Sequence, residues 1–352
     1  MERVSIIIQG EGKGHFSQAA ELARLLKKNK VELAKVYLGS SVFRRTPAYL
    51  RNFDDAELRV FLSPNFLRTP DRKGIRIIFS MLLNVLLSPV YFFEICRIGI
   101  MIRRDRNSIM YNFYDPVGAL AMKWWNRGTS GVVLSHHFYL SHPDFIHPHG
   151  LETSFFYLQL MNRIMMKSVD RVFALSFRKA DKFRKIEILP PLLDERVRTA
   201  SWQPGERDLC YFLNSGFLTD LFAYYRDHPE LRADIFCDSS DFSEVPENVQ
   251  LHVPDRMKFL EAMFCCKRVI CTAGFDTVAE AFYLGIPVYL IPSVNHYEQY
   301  CNALDAARSG MAFQLEEIAD LLDLDFLPAG NKSYRQWVDT FDVNILKKKS
   351  GA

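Results

Sequence analysis

Val4-Ser5-Ile6-Ile7-Ile8-Gln9-Gly10-Glu11-Gly12-Lys13-Gly14-His15 reads as a β-strand that runs through a glycine turn into a helix. The β-branched run suits a strand. Glycines at alternate positions allow positive φ and a close approach of the backbone, and Ala19, Leu22, Leu25 and Leu26 give the next segment one apolar face. A helix starting at such a turn points unpaired N–H groups and its positive dipole end at whatever fills the loop, which suits an anion. The spacing is not the dinucleotide GxGxxG, and the second strand ends in Leu38-Gly39-Ser40-Ser41 without a ribose-binding acid. A Walker A loop also fails, because Gly14 rather than Ser or Thr follows Lys13.

The same rhythm continues outward. Strand-like runs at 4–8, 34–38, 108–113, 131–135 and 171–175 alternate with helical stretches, the pattern of a parallel sheet wrapped by helices. Pro190-Pro191 interrupts it, a polar stretch runs to Pro204-Gly205, and the alternation restarts with strands at 209–213, 234–237, 249–253, 268–272 and 287–291. The expected organisation is a Rossmann-like domain over 1–189, a linker over 190–205, a second Rossmann-like domain over 206–330, and a C-terminal segment over 331–352. At ~150 residues per domain, a chain of 352 residues also suggests two domains. Two open α/β sheets leave a cleft at their carboxyl ends, the usual ligand site of such sheets.

Composition removes several classes. Lys and Arg number 44 against 41 Asp and Glu, a net charge of +3, which does not support a nucleic-acid partner. Seven scattered cysteines without a CxxC pair indicate neither a disulfide framework nor a zinc ribbon, and they fit a reducing cytosol. The N-terminus lacks a signal-peptide pattern, so a cytoplasmic protein is expected.

Residues 77–93 carry no charge and are flanked by Arg72, Lys73 and Arg76 on one side and Arg97, Arg103, Arg104 and Arg106 on the other. A spanning helix needs about 20 apolar residues, and this run is shorter and contains Asn84, Ser88 and Pro89. Two readings remain: a buried helix pair bent at Pro89, or an interfacial segment over 77–106 whose arginines meet an anionic membrane surface.

A second anion cradle opens at Thr272-Ala273-Gly274-Phe275-Asp276-Thr277-Val278-Ala279-Glu280, with Glu280 about one turn into the following helix, where a carboxylate can accept from a ribose diol. Further on, Glu298 and Gln299 suit bidentate contacts to sugar hydroxyls. His15, beside the first loop, has the ordinary pKa of a general base.

This ordered set (Gly-x-Gly-x-Gly-His, then Ala-Gly-Phe-x-Thr-x-x-Glu, Gly-x-Pro, and Glu-Gln-x-x-Asn-Ala) resembles the GT-B glycosyltransferases, and more narrowly the MurG-like branch with its lipid II and diacylglycerol glycosyltransferases. The resemblance implies an α/β fold of two doubly wound, Rossmann-like domains facing across a cleft. It assigns Gly12 and Gly14 to the first donor loop, Ser215 and Gly216 to a second phosphate loop, and Gly274, Phe275 and Thr277 to the diphosphate. Glu280 would take the ribose, Glu298 and Gln299 the sugar, and the neighbourhood of Phe259 the base. His15, Asp115 and Glu11 compete as the catalytic base, with Asp115 alternatively orienting His15. The segment 334–346 would supply the helix that returns to the first domain.

His136, His137, His142, His147 and His149 crowd together but lack a spacing such as HExxH, so no metal site is expected, and His136 and His137 are assigned to the acceptor side of the cleft. The expected activity is an inverting, metal-independent transfer from a nucleotide-diphospho-sugar, with UDP the expected nucleotide and no cofactor. The acceptor would be lipid-linked or a glycan, and the enzyme cytoplasmic and peripheral on the inner membrane face. A UDP-sugar epimerase or a non-catalytic sugar-nucleotide-binding subunit would share the architecture.

Overall fold

A computed structural model describes residues 3–10, 13–41, 53, 56–105, 109–125, 129–238, 242, 244–321 and 331–347. Seven parallel strands form the first sheet: β1 (Arg3–Ile8), β2 (Glu32–Ser40), β3 (Glu57–Leu62), β4 (Ile109–Phe113), β5 (Ser130–Ser135), β6 (Arg171–Leu175) and β7 (Ile186–Leu189). Their order is β3-β2-β1-β4-β5-β6-β7. Six parallel strands form the second: β8 (Arg207–Tyr211), β9 (Arg232–Phe236), β10 (Val249–His252), β11 (Val269–Cys271), β12 (Val288–Leu290) and β13 (Ala312–Gln314), ordered β10-β9-β8-β11-β12-β13. This is the α/β, doubly wound pair of Rossmann-like sheets of the GT-B fold.

The helices are α1 (Lys13–Lys28), α2 (Ile77–Leu86), α3 (Ser88–Asp105), α4 (Pro116–Trp125), α5 (Glu152–Met166), α6 (Glu195–Thr199), α7 (Leu218–Asp227), α8 (Arg256–Phe264), α9 (Phe275–Leu284), α10 (Tyr297–Arg308), α11 (Lys332–Asp339) and α12 (Asn344–Lys347). Central strands β4, β11 and β12 are buried throughout because helices cover both faces. In each sheet the strand order reverses once, between β1 and β4 and between β8 and β11. The crevices at these reversals are where open α/β sheets bind ligands. The connections that leave β1, β4, β8 and β11 lead to His15 at the start of α1, Asp115, Ser215 and Gly274.

Helix α9 is buried along almost its whole length and ends at Gly285, whose φ of 83° is the left-handed conformation that a residue with a Cβ avoids. The segment 334–346 is not one helix. Tyr334 of α11 packs against Phe282 of α9 and against Trp337, and the second piece reaches the first sheet, where Tyr111 and Arg171 donate to the carbonyls of Leu346 and Ile345.

The uncharged run 77–93 folds as α2 and part of α3, bent by 63°. The break lies at Leu87, ahead of Pro89, because a proline in the first turn of a helix forfeits no helical hydrogen bond. Helix α3 presses Ile95, Ile98 and Ile102 into the core, but α2 is not buried. Its polar residues face the protein: the Ser80 hydroxyl accepts from the Leu67 N–H and donates to the Arg76 carbonyl, and the Asn84 amide donates to the Asn65 carbonyl. The apolar side faces outward, with Leu86 75%, Val85 72% and, on α3, Phe93 65% exposed. Among the described residues no single helix is long and apolar enough to cross a membrane.

Candidate active site

The first half contributes a stack of rings. His15, in the first turn of α1, lies 5.6 Å from Tyr114 and 5.3 Å from His137, centroid to centroid. Tyr114 follows β4 with φ at 60° and stacks on His137 at 3.9 Å, while its hydroxyl donates to Asn162. Both His137 nitrogens are engaged, Nδ1 with the Ser135 hydroxyl at 2.9 Å and Nε2 with Glu298 of α10 at 3.1 Å. The last contact crosses from one half of the chain to the other.

Burial, then the neighbouring His137, lowers the His15 pKa to about 3 against the opposing pull of Glu298, so its imidazole is neutral at physiological pH. Burial pushes the Glu298 carboxyl up, but His137, with His296 and His15 beyond it, outweighs this and holds Glu298 well below the usual carboxylate range.

Asp115 does not orient His15. It stands just ahead of α4, its carboxylate accepts from the Gly118 N–H at 2.7 Å and the Ser63 hydroxyl at 2.5 Å, and no hydrogen bond joins it to His15. Burial raises it to about 6, offset in part by the Gly118 bond. Glu11 and Gly12 lie outside the described residues. His136, expected on the acceptor side, instead stacks on Phe275 at 4.2 Å and contacts the Leu175 carbonyl through Nδ1, with burial lowering it to about 4. His147 meets the Tyr297 hydroxyl. Among the described residues no three His, Cys, Asp or Glu side chains are grouped as a metal site.

On the second half, Gly274 precedes α9 and offers no side-chain cap, so the first N–H groups of that helix are open to an anion. Thr277 is buried in its first turn. Phe275 turns its ring into packing with His136 and Phe177. Glu280 is held by Arg256 through two bonds of 3.0 and 2.5 Å, and Arg256 also reaches Asp194 ahead of α6. A carboxylate so paired still has lone pairs for a diol. The Gln299 carbonyl accepts from the Ser293 N–H, which leaves its amide NH2 to donate. Phe259 is buried against Tyr211 and Phe236. The Ser215 hydroxyl accepts from Arg72, and Gly216 packs against the backbone of Asp71.

Four participants escape a reading of the sequence: Tyr114, Arg256, Arg72 and Asp276. Asp276 is the x of Phe-x-Thr in α9. Gln18 of α1 donates to one of its oxygens at 2.8 Å while accepting from the Leu192 N–H at 2.8 Å, and the other oxygen is buried beside Gly14 without a partner among the described residues. Burial, then the charge of Glu280, raises Asp276 to about 8.

A half-open pocket adjoins the ring stack. Gln9, His137 and Glu298 form its polar end, and Phe66, Ile75, Ile77, Tyr157, Met161 and Met165 much of its apolar wall. Ile77 is also the first residue of α2.

Solved structures that share this architecture are glycosyltransferases of the GT-B class. The glycosyltransferase SnogD from Streptomyces nogalater superposes with a TM-score of 0.60 at 15% identity, covering 99% of each chain. LpCGTa, solved in complex with UDP, gives 0.61 at 13% identity over 95% of this chain and 94% of that one. MurG of Acinetobacter baumannii gives 0.54 at 14% identity over 97% and 90%. No curated protein sequence matches the chain significantly. The profile of glycosyl transferase family 1 matches residues 139–328, more than half of the chain. The chain belongs to that family and is a glycosyltransferase.

Proposed function

We propose that this enzyme is an inverting, metal-independent glycosyltransferase of the MurG-like branch that moves a sugar from a UDP-sugar to a lipid-linked hydroxyl at the inner face of the membrane. The observation that carries the reading is the stack His15–Tyr114–His137, closed by Glu298, with an apolar cavity opening onto it.

The acceptor hydroxyl sits at the polar end of that cavity and gives its proton to the neutral imidazole of His15. Its oxygen bonds to the anomeric carbon while the bond from that carbon to the diphosphate breaks on the opposite face, and UDP departs with the electron pair. One displacement inverts the carbon. A diphosphate close to the start of α1 raises the basicity of His15, offsetting the lowering by burial and His137. The open N–H groups of α9 and its dipole stabilise the leaving charge, so the step needs no metal. Glu280 takes the ribose alongside Arg256, the Gln299 amide donates to the sugar, and Glu298 holds His137. Among the neighbours, the UDP in LpCGTa supports the donor.

The lipid acceptor rests on α2, which turns Ser80 and Asn84 inward and Leu82, Val85 and Leu86 outward. That orientation is unfavourable in water and favourable at a membrane interface, where the neighbouring arginines meet anionic headgroups.

Two measurements test the reading. UDP-sugars are incubated with lipid extract, and UDP release is followed for the wild type and for His15→Gln. Release should fall about 10²–10⁴-fold in the variant while UDP binding persists, and equal rates would remove His15 as the base. Sedimentation with anionic vesicles should be lost when Leu82, Val85 and Leu86 are changed to Ser, and unchanged sedimentation would rule out membrane docking through α2.

A further inference from the structure

We propose that Arg72, carried on a strap from the first half of the chain, binds the donor diphosphate from across the cleft and so completes the phosphate site of the second half. The inference rests on reading Ser215-Gly216 as a phosphate loop.

The strap is a hairpin closed by an antiparallel bridge between Arg68 and Ile75. Inside it, the Thr69 N–H donates to the Gly74 carbonyl, the Arg72 N–H to the Thr69 carbonyl, the Gly74 N–H to the Thr69 hydroxyl and the Lys73 N–H to the Asp71 carboxylate, all at 2.9–3.0 Å. These bonds hold Arg72 at a φ of 57°. A non-glycine residue in the left-handed region persists only where its surroundings fix it, and such residues cluster at ligand clamps.

The strap is seated on the second half at both edges. The Val294 N–H donates to the Lys73 carbonyl at 3.0 Å, and the Ile75 N–H donates to the Val294 carbonyl at 3.2 Å. The approach is so close that a Cβ at Gly74 would strike the Val294 carbonyl, and one at Gly216 the Asp71 carbonyl. The loop after β8 and the loop after β12 are therefore bridged by a piece of the first half.

The two cations of the strap are treated differently. Lys73 is neutralised by Asp220 at 2.5 Å. Arg72 donates only to the neutral Ser215 hydroxyl at 3.2 Å, and among the described residues no carboxylate pairs with it. A guanidinium presents its donors as a planar fork matched to phosphate oxygens, and Arg72 is delivered at the phosphate loop with the rest of that fork unclaimed. The same strap carries Ile75 into the wall of the acceptor cavity, so donor and acceptor sites share one segment.

The test compares UDP with uridine, which lacks phosphate, on the full-length protein by calorimetric titration and ligand-observed NMR. Because Arg72 is exposed, Arg72→Ala should keep the melting temperature of the wild type. It should weaken UDP about 10- to 100-fold, the loss typical of a hydrogen bond to a charged group, and leave uridine unchanged, with Arg72→Lys between the two. UDP affinity within twofold of wild type, or equal losses for UDP and uridine, would overturn the assignment while leaving the donor site standing. A wild type that binds neither ligand would overturn both.

Discussion

Replacing Asp276 by Asn should stabilise the protein, and the gain should grow with pH. In the folded chain the carboxyl is raised to about 8 by burial and then by Glu280, with Glu298 adding and the Gln18 bond and Arg256 subtracting. In the unfolded chain it titrates near 3.9. A raised carboxyl means that the folded state holds a proton which the unfolded state has released. Its stabilising contribution is complete below the unfolded value, declines as pH rises, and is gone once pH passes the folded value. About four units at ~1.4 kcal/mol each set an upper bound near 6 kcal/mol. The start of α9 favours the ionised form by up to ~2 kcal/mol, and relaxation takes more, so 2–3 kcal/mol between pH 5 and pH 8.5 is the working figure. For 352 residues the unfolding entropy is about 0.7 kcal/mol/K, which converts this to about 3–4 °C. Asn keeps an oxygen to accept from Gln18 and removes the titration. Scanning calorimetry of both proteins at pH 5, 7 and 8.5 isolates Asp276 together with the groups coupled to it, because titrations elsewhere cancel in the difference. A Tm difference that stays flat across this range, or a variant less stable at pH 8.5, would refute the reasoning.

Two further outcomes follow from local geometry. Gly285→Ala should cost about 1–2 kcal/mol, because a Cβ at φ 83° is strained and would meet the Asn331 amide at 3.1 Å, and urea unfolding measures it. Met161→Trp fills the apolar end of the cavity, and it should raise the acceptor KM about tenfold with UDP affinity unchanged, as read from steady-state rates and titration.

The central strands and the helices that follow them were legible because a β-branched run followed by a turn and an amphipathic helix has few other solutions. The strands that sequence reading passes over, β3, β7 and β13, all lie at sheet edges, where polar residues and short lengths erase the apolar run. His15, Glu280 and Glu298 stand out in the sequence because they belong to motifs of fixed spacing, and the structure sets Glu298 against His137 rather than leaving it open. Their partners do not stand out. Arg256 finds Glu280 across 24 positions, and His137 finds Glu298 only through the meeting of two sheets. Arg72 reads in sequence as a mere flank of the uncharged run, and a hairpin delivers it to the other half. Asp115 could not be placed from the sequence, because a carboxylate that faces a cleft from a strand end and one that caps a helix occupy the same place in the pattern.

The shared lining of the cavity has a kinetic consequence. Tyr114 and His137 come from the first half, and His296, Tyr297 and Glu298 from the second, so the pocket proposed for the acceptor needs both halves to line it. The proposed donor contacts lie on the second half, at the start of α1 and on the strap, and a donor bridging these elements favours closure. Donor is therefore expected to bind before acceptor, and the closed cleft keeps water from the anomeric carbon until a hydroxyl arrives. UDP should then inhibit competitively against the donor and non-competitively against the acceptor. Competitive inhibition against both would mean that the pocket forms without the donor, and the halves would have to close on their own.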